Sequence, residues 1–406
     1  MRIAFITYEY PPETGKGGIG TYVAQLSKAL PALGWDVHVF VGSHTGDFLD
    51  KNENHHVHHI FCSDGNDFNT KVVRVFTEQH TMAEFDLMEC PEIGANGWEI
   101  KNVFQNVPLV VRLHASNHLV ERLKKRYVPF TTKMRFVLGA FRRLKWDMGY
   151  WKPYNKSIDP EFQFIQLADY ISAPSEAMKS WALKNWQINP KDIEVFPNIF
   201  IPSKKLLEIP VVENSAHKTI VFFGRLNVLK GLVNATRAMK KILKLYPQWK
   251  FRVIGDDGNG PYLGNGMRDW MKAELKHSLN RVEFLDGMDY ELLPNAIEKA
   301  EIVLLPSLFE SFSYTCIEAM VAGKAVVGSN SGGMLDLIKQ NNTGLLVNPE
   351  NVDEIYVALK RLMDDDAFRY RLSLNARQSV LNDFDCKMSL YHFDNYYRKI
   401  IERPVE

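Results

Sequence analysis

Short apolar runs rich in β-branched residues alternate along this chain with stretches whose apolar positions recur at helical spacing. That alternation predicts βα units feeding parallel sheets. The runs fall into two series. The first holds IAFIT (3–7), DVHVFVG (36–42), VHHIF (57–61), FDLMEC (85–90), LVVRLHA (109–115), DYISAP (169–174) and IEVFPN (193–198). The second holds TIVFFG (219–224), FRVIG (251–255), VEFLDG (282–287), EIVLLP (301–306), AVVGS (325–329) and TGLLV (343–347). Between them FIPSKKLLEIPVVENSAH has prolines, charges and no period, and reads as a linker. The expected fold class is therefore α/β with two Rossmann-like, doubly wound domains, over residues 1–200 and 216–385. A last amphipathic helix from Cys386, with Leu390, Phe393, Tyr397 and Ile400 on one face, is expected to dock on the first domain, the whole tail running 386–406.

The length of 406 residues fits two cores better than one. A 46% apolar, 24% charged composition is that of an ordinary folded protein, and a formal net charge of +1 gives the whole chain no pull toward nucleic acid. Cys62, Cys90, Cys316 and Cys386 have no metal or disulfide spacing, which points to a reducing, cytosolic compartment. The opening MRIAFITYEYPP lacks the apolar length of a signal peptide, and no run approaches the roughly 20 residues that span a bilayer. Contact with a membrane, if made, is expected on the surface of its inner face. His55, His56, His58 and His59 form a histidine-rich run, but strand alternation lets no more than two of them converge, so no metal site is expected there.

GKGGIG (15–20) matches a dinucleotide fingerprint in letters only. YEYPPET separates it from its strand, and the second strand ends in Val41 and Gly42 with no acid for a ribose. What remains is a glycine-rich turn opening the helix TYVAQLSKAL, suited to an anion or a close-lying sugar. In the second series FFGRLNVLKG puts Arg225 and Lys230 on the loop after a strand, where two cations can neutralise a diphosphate.

In ESFSYTCIE, after IVLLP, Glu310 and Glu318 flank Ser313, Tyr314 and Thr315, the first residues of an expected helix. Bare amides at that helix mouth suit phosphate, whereas carboxylates suit hydroxyl groups on either side of it. Eight helical residues rise about 12 Å, the span from a hexose across a diphosphate to a ribose. A hydrolase acid/base pair needs its carboxyls about 5 to 9.5 Å apart and fits less well.

These stretches together resemble the retaining nucleotide-sugar glycosyltransferases of family 4, with the GT-B fold. The matching pieces are GGIG (17–20), PNIF (197–200), GRLNVLKG (224–231), ESFSYTCIEAMVAGKAVVGSNSGG (310–333) and TGLLVNP (343–349), spread over nearly the whole length. The resemblance implies two domains facing a cleft and transfer of a sugar from a UDP- or GDP-linked donor to a hydroxyl, in polysaccharide or glycolipid assembly. It implies that Arg225 and Lys230 hold the diphosphate, Glu318 the ribose and Glu310 the sugar beside the reacting carbon. Amides near Ser313, Tyr314 and Thr315 meet the phosphates, Gly17 and Gly18 close on them from the first domain, and His114 touches the sugar near its anomeric centre. The loops after Gly255 and Gly287 are expected to meet the base. No metal or other cofactor is implied. Ser313, Ala115 and Asp336 stand where the family more often has glycine, an acid and glutamate. An epimerase of the same fold and a silent carbohydrate-binding subunit are the alternatives.

Residues 119–152 carry ten Lys and Arg against Glu121 and Asp147, with Phe130, Met134, Val137, Phe141, Leu144 and Met148 at helical spacing. Three readings stay open: the stripe packs on the core, it lies on an anionic membrane and brings in a lipid-linked acceptor, or the cations grip an acidic acceptor.

Overall fold

The computed structural model describes residues 1–15, 17–145, 148–189, 193–213, 217–261, 266–288 and 290–402. Lys16, Asp147, the expected boundary at Ala216, residues 262–265 and 289 of the two base-side loops and tail residues 403–406 lie outside them. The chain forms two compact units. One comprises Met1–Ser116, Asn155–Ile201 and Phe384–Glu406, the other Asn117–Tyr154 and Pro202–Asp383.

The first unit is built on eight strands: β1 (Arg2–Thr7), β2 (Asp36–Ser43), β3 (Phe48–Asn52), β4 (His55–Phe61), β5 (Leu87–Pro91), β6 (Leu109–Arg112), β7 (Tyr170–Ala173) and β8 (Ile193–Val195). Their spatial order is β3-β4-β2-β1-β5-β6-β7-β8, parallel except for β3 against β4. The apolar runs become strands because helices cover both faces of a parallel sheet, leaving no polar side. β3 was not expected. All five of its side chains are exposed, so FLDKN has no buried face to announce it, and it exists by pairing with β4 in the register Phe48↔His59 to Asn52↔His55.

The second unit holds β9 (Thr219–Phe223), β10 (Lys250–Ile254), β11 (Val282–Leu285), β12 (Ile302–Leu305), β13 (Ala325–Ser329) and β14 (Leu345–Val347), in the order β11-β10-β9-β12-β13-β14. All pairings are parallel. The chain leaves β9 toward β10 on one side and returns with β12 on the other. That reversal of strand order opens a crevice at the carboxyl ends of the two strands, where ligands of such sheets bind. The first sheet has the same reversal at β1, which lies between β2 and β5.

The helix Cys386–Ile401 joins the first unit. Asp385 caps it, accepting the amides of Lys387 and Met388 at 3.0 Å, and Phe393, Tyr397 and Ile400 are buried. The Trp35 indole donates to Asp394 at 2.7 Å. The buried Glu89 carboxylate accepts the hydroxyls of Tyr22 and Tyr397, each at 2.6 Å.

Asn117–Tyr154, expected within the first domain, groups with the second. Arg126 pairs with Glu350 at 3.1 Å, and Tyr127 packs on the hydrophobic core that includes Leu232, Trp249 and Val347. The apolar stripe that follows does not turn inward: in the helix Phe130–Arg142 only Ala140 is buried. No helix among the described residues is long and apolar enough to cross a membrane.

Candidate active site

Three loops of the second unit meet at the switch between β9 and β12. After β9 the chain makes a single turn, Val228–Lys230, capped by Asn227, whose side chain accepts the Lys230 amide at 3.2 Å. The turn ends at Gly231 with φ +69°, and a β-carbon there would fall on the carbonyl of Pro306. Only glycine allows this approach. The Leu308 amide then donates to the Leu229 carbonyl at 2.7 Å, tying this turn to the loop after β12. After β13, Gly332 has φ +68° and lies where a side chain would strike the backbone of Glu310. The neighbouring Gly333 amide donates to the Glu310 carbonyl at 2.7 Å.

This framework sets the Lys230 ammonium 2.5 Å from the Glu310 carboxylate, both partly buried. Arg225 stands exposed on the same β9 loop, with no ion pair among the described residues. The helix Tyr314–Val321 begins at Ser313, whose hydroxyl accepts the Cys316 amide at 3.3 Å and lies 3.1 Å from the Thr315 hydroxyl. The Thr315 amide has no acceptor among the described residues. Glu310 precedes the helix by four positions, so its eight-residue separation from Glu318 is not a helical rise and the 12 Å ruler does not apply.

Glu318 sits buried on that helix between Ile317 and Ala319. No donor among the described residues reaches its carboxyl, and burial pushes its pKa from 4.5 up to about 8. An unpartnered buried acid is costly unless a ligand supplies hydrogen bonds.

In the first unit His114 lies two residues beyond β6. Its amide donates to both carboxylate oxygens of the buried Glu92 at 2.8 Å. Its Nδ1 lies 3.0 Å from the Arg112 carbonyl, which can only accept, so Nδ1 carries the hydrogen. Nδ1 also lies 3.5 Å from the Glu92 carboxylate, and the other ring nitrogen, Nε2, is buried without a partner among the described residues. Glu92 went unrecognised in the sequence, although an acid just past a strand end (MECPE) was its signal. Gly17 caps the helix Gly18–Ala29 with no side-chain hydrogen bond, and side chains at Gly15 or Gly17 would meet Glu9. The PNIF stretch has a structural task as well, since Asn198 accepts from the buried Arg112 guanidinium at 2.8 and 3.0 Å.

The histidine run gathers differently from expectation. His56 is joined by His38 and Asp36 from β2, with potential ligand atoms within 4.8 Å of one another. Arg2 already occupies this cluster, donating to Asp36 at 2.8 Å and lying 2.9 Å from His38 Nε2. Burial first, then that guanidinium, pushes the His38 imidazole far below its usual range.

Two Rossmann-like units with these loops define a GT-B protein. Residues 16–203 match the family described as Glycosyltransferase Family 4, and residues 206–379 match Glycosyl transferases group 1. The chain belongs to this family and is a glycosyltransferase. An uncharacterized glycosyltransferase of Methanocaldococcus jannaschii is 24% identical over 99% of both chains. Sucrose-phosphate synthase of Thermosynechococcus elongatus superposes with a TM-score of 0.73 over 98% of both chains at 21% identity. HepE of Anabaena, solved with UDP-glucose, gives 0.65 over 98% of this chain and 100% of its own at 18% identity.

Proposed function

We propose that the protein moves a sugar from a nucleoside diphosphate donor, UDP- or GDP-linked, to a hydroxyl acceptor with retention at the anomeric carbon, in polysaccharide or glycolipid assembly. The observation that carries this reading is the gathering of Lys230, Glu310, the mouth of the helix Tyr314–Val321 and the unpartnered Glu318 at one sheet switch point. The diphosphate rests on the helix mouth and draws Lys230 from Glu310, with Arg225 as the second cation. Glu310 then accepts hydroxyls of the sugar and Glu318 those of the ribose. In the first unit, His114 Nε2 hydrogen-bonds a sugar hydroxyl, and Gly17 and Gly18 leave their backbone open to the phosphates.

As the bond from the anomeric carbon to the phosphate oxygen breaks, negative charge grows on the diphosphate, and Lys230, Arg225 and the helix amides stabilise it. The acceptor oxygen bonds to the anomeric carbon on the face the phosphate leaves. Its proton passes to the departing phosphate oxygen, so no side-chain base is needed. The cations and amides meet the charge, and in this reading no metal or other cofactor is called for. HepE, a relative in fold, was solved with a donor of this class.

The test is a panel of nucleotide sugars, with and without a chelator, read by melting temperature and by released nucleoside diphosphate. Release dependent on an acceptor and indifferent to chelation supports the reading. Isomerised donor without an acceptor indicates an epimerase, and sugar binding without release a silent subunit.

A further inference from the structure

Between the adjacent strands β6 and β7 the chain runs from Leu113 to Asp169, far longer than the loops that usually join neighbouring elements. Its helix Phe130–Arg142 carries Phe130, Met134, Val137 and Phe141 at i, i+4, i+7 and i+11, which makes one continuous apolar stripe. That stripe faces solvent: Phe130 is 69% exposed and Phe141 65%, and Leu144 just beyond is 96% exposed. Trp151 sets its ring against Phe130, so an aromatic borders the stripe. Residues 119–152 hold ten Lys and Arg and two acids, an excess of eight positive charges in a chain whose net is +1.

We propose that this face is a docking site for an anionic lipid bilayer, with the Phe130–Phe141 stripe and Leu144 entering the headgroup boundary while Arg135, Arg142, Arg143 and Lys145 meet lipid phosphates. An exposed apolar stripe flanked by cations is the pattern of a helix lying in a membrane interface, where aromatic rings and long cationic side chains both find partners. The charge decides among occupants. A second copy of the chain would bring an equal cationic surface against this one, and burial against the protein's own core would leave the stripe covered. This inference does not depend on the transfer reaction.

The experiment is co-sedimentation of the full chain with phosphatidylglycerol-containing vesicles and with phosphatidylcholine vesicles. Binding to the anionic vesicles alone is expected, weakening as salt rises and by about fivefold for each cation removed in Arg142→Gln and Arg143→Gln. Leu144→Asp and Phe141→Asp should each lower it by at least about tenfold. Both side chains are solvent-exposed, so the melting temperature stays unchanged. No binding to anionic vesicles, binding indifferent to Leu144→Asp, or a dimer in solution that Leu144→Asp dissolves would each overturn the proposal.

Discussion

The ammonium of Lys230 and the carboxylate of Glu310 lie 2.5 Å apart although 80 residues separate them in sequence. The cation assigned to the donor's phosphates is thus held, before donor arrives, by the acid assigned to its sugar. Strand order makes the pair, because β9 and β12 are neighbours and each residue sits on the loop leaving its strand.

Glu310→Gln removes the anion that competes for Lys230. Binding of nucleoside diphosphate alone should tighten by a few fold, while transfer falls by about 10²-fold or more as the sugar loses its carboxylate partner. Calorimetric titration and product assays on the same preparation separate the two effects.

Glu318 makes stability depend on pH. Its pKa rises from 4.5 to about 8 on folding, through burial, so the folded protein holds a proton there that the unfolded chain releases. Stability therefore declines as pH climbs from about 4.5 through 8, by up to roughly 5 kcal/mol. Glu318→Gln should match the wild type near pH 4, melt above it at pH 9 and lose donor binding. In the wild type, hydroxyls donated by a bound ribose favour the carboxylate, so donor affinity should rise between pH 6 and 8 with proton release. Melting curves and titrations in buffers of different ionisation enthalpy read both.

Gly231→Ala forces a β-carbon into the Pro306 carbonyl at φ +69°. The loss should be about 1–3 kcal/mol or more, with a melting temperature lower by roughly 2–4 °C for each kcal/mol. Donor binding should weaken with it, since the Lys230 turn moves.

Tyr397→Phe leaves one oxygen of the buried Glu89 without its 2.6 Å donor. A cost of about 1–3 kcal/mol is expected, confined to the first unit, with hydrogen exchange rising in Cys386–Ile401 and not in β9–β14.

The strands were legible where parallel packing makes them apolar throughout, as in IVLL and TIVFF. FLDKN was not, because an exposed edge strand has no burial pattern and borrows its order from a neighbour. Arg225, Lys230, Glu310 and Glu318 could be singled out since each stands at or just past a strand end or on the helix that follows. The contacts they make could not be read, because these depend on which strands lie side by side. The same holds for Tyr22, Glu89 and Tyr397, and for His38, which enters the histidine cluster through the register His38↔His56. The helical ruler between Glu310 and Glu318 failed because Ser313 starts the helix at Tyr314, later than the spacing assumed.

A crystal soaked with nucleoside diphosphate sugar addresses the central claim most directly. The account predicts the diphosphate on the amides that open the helix Tyr314–Val321, Lys230 turned from Glu310 onto a phosphate oxygen, and ribose hydroxyls on Glu318. A diphosphate bound away from that helix, with the Lys230–Glu310 pair intact, would contradict it.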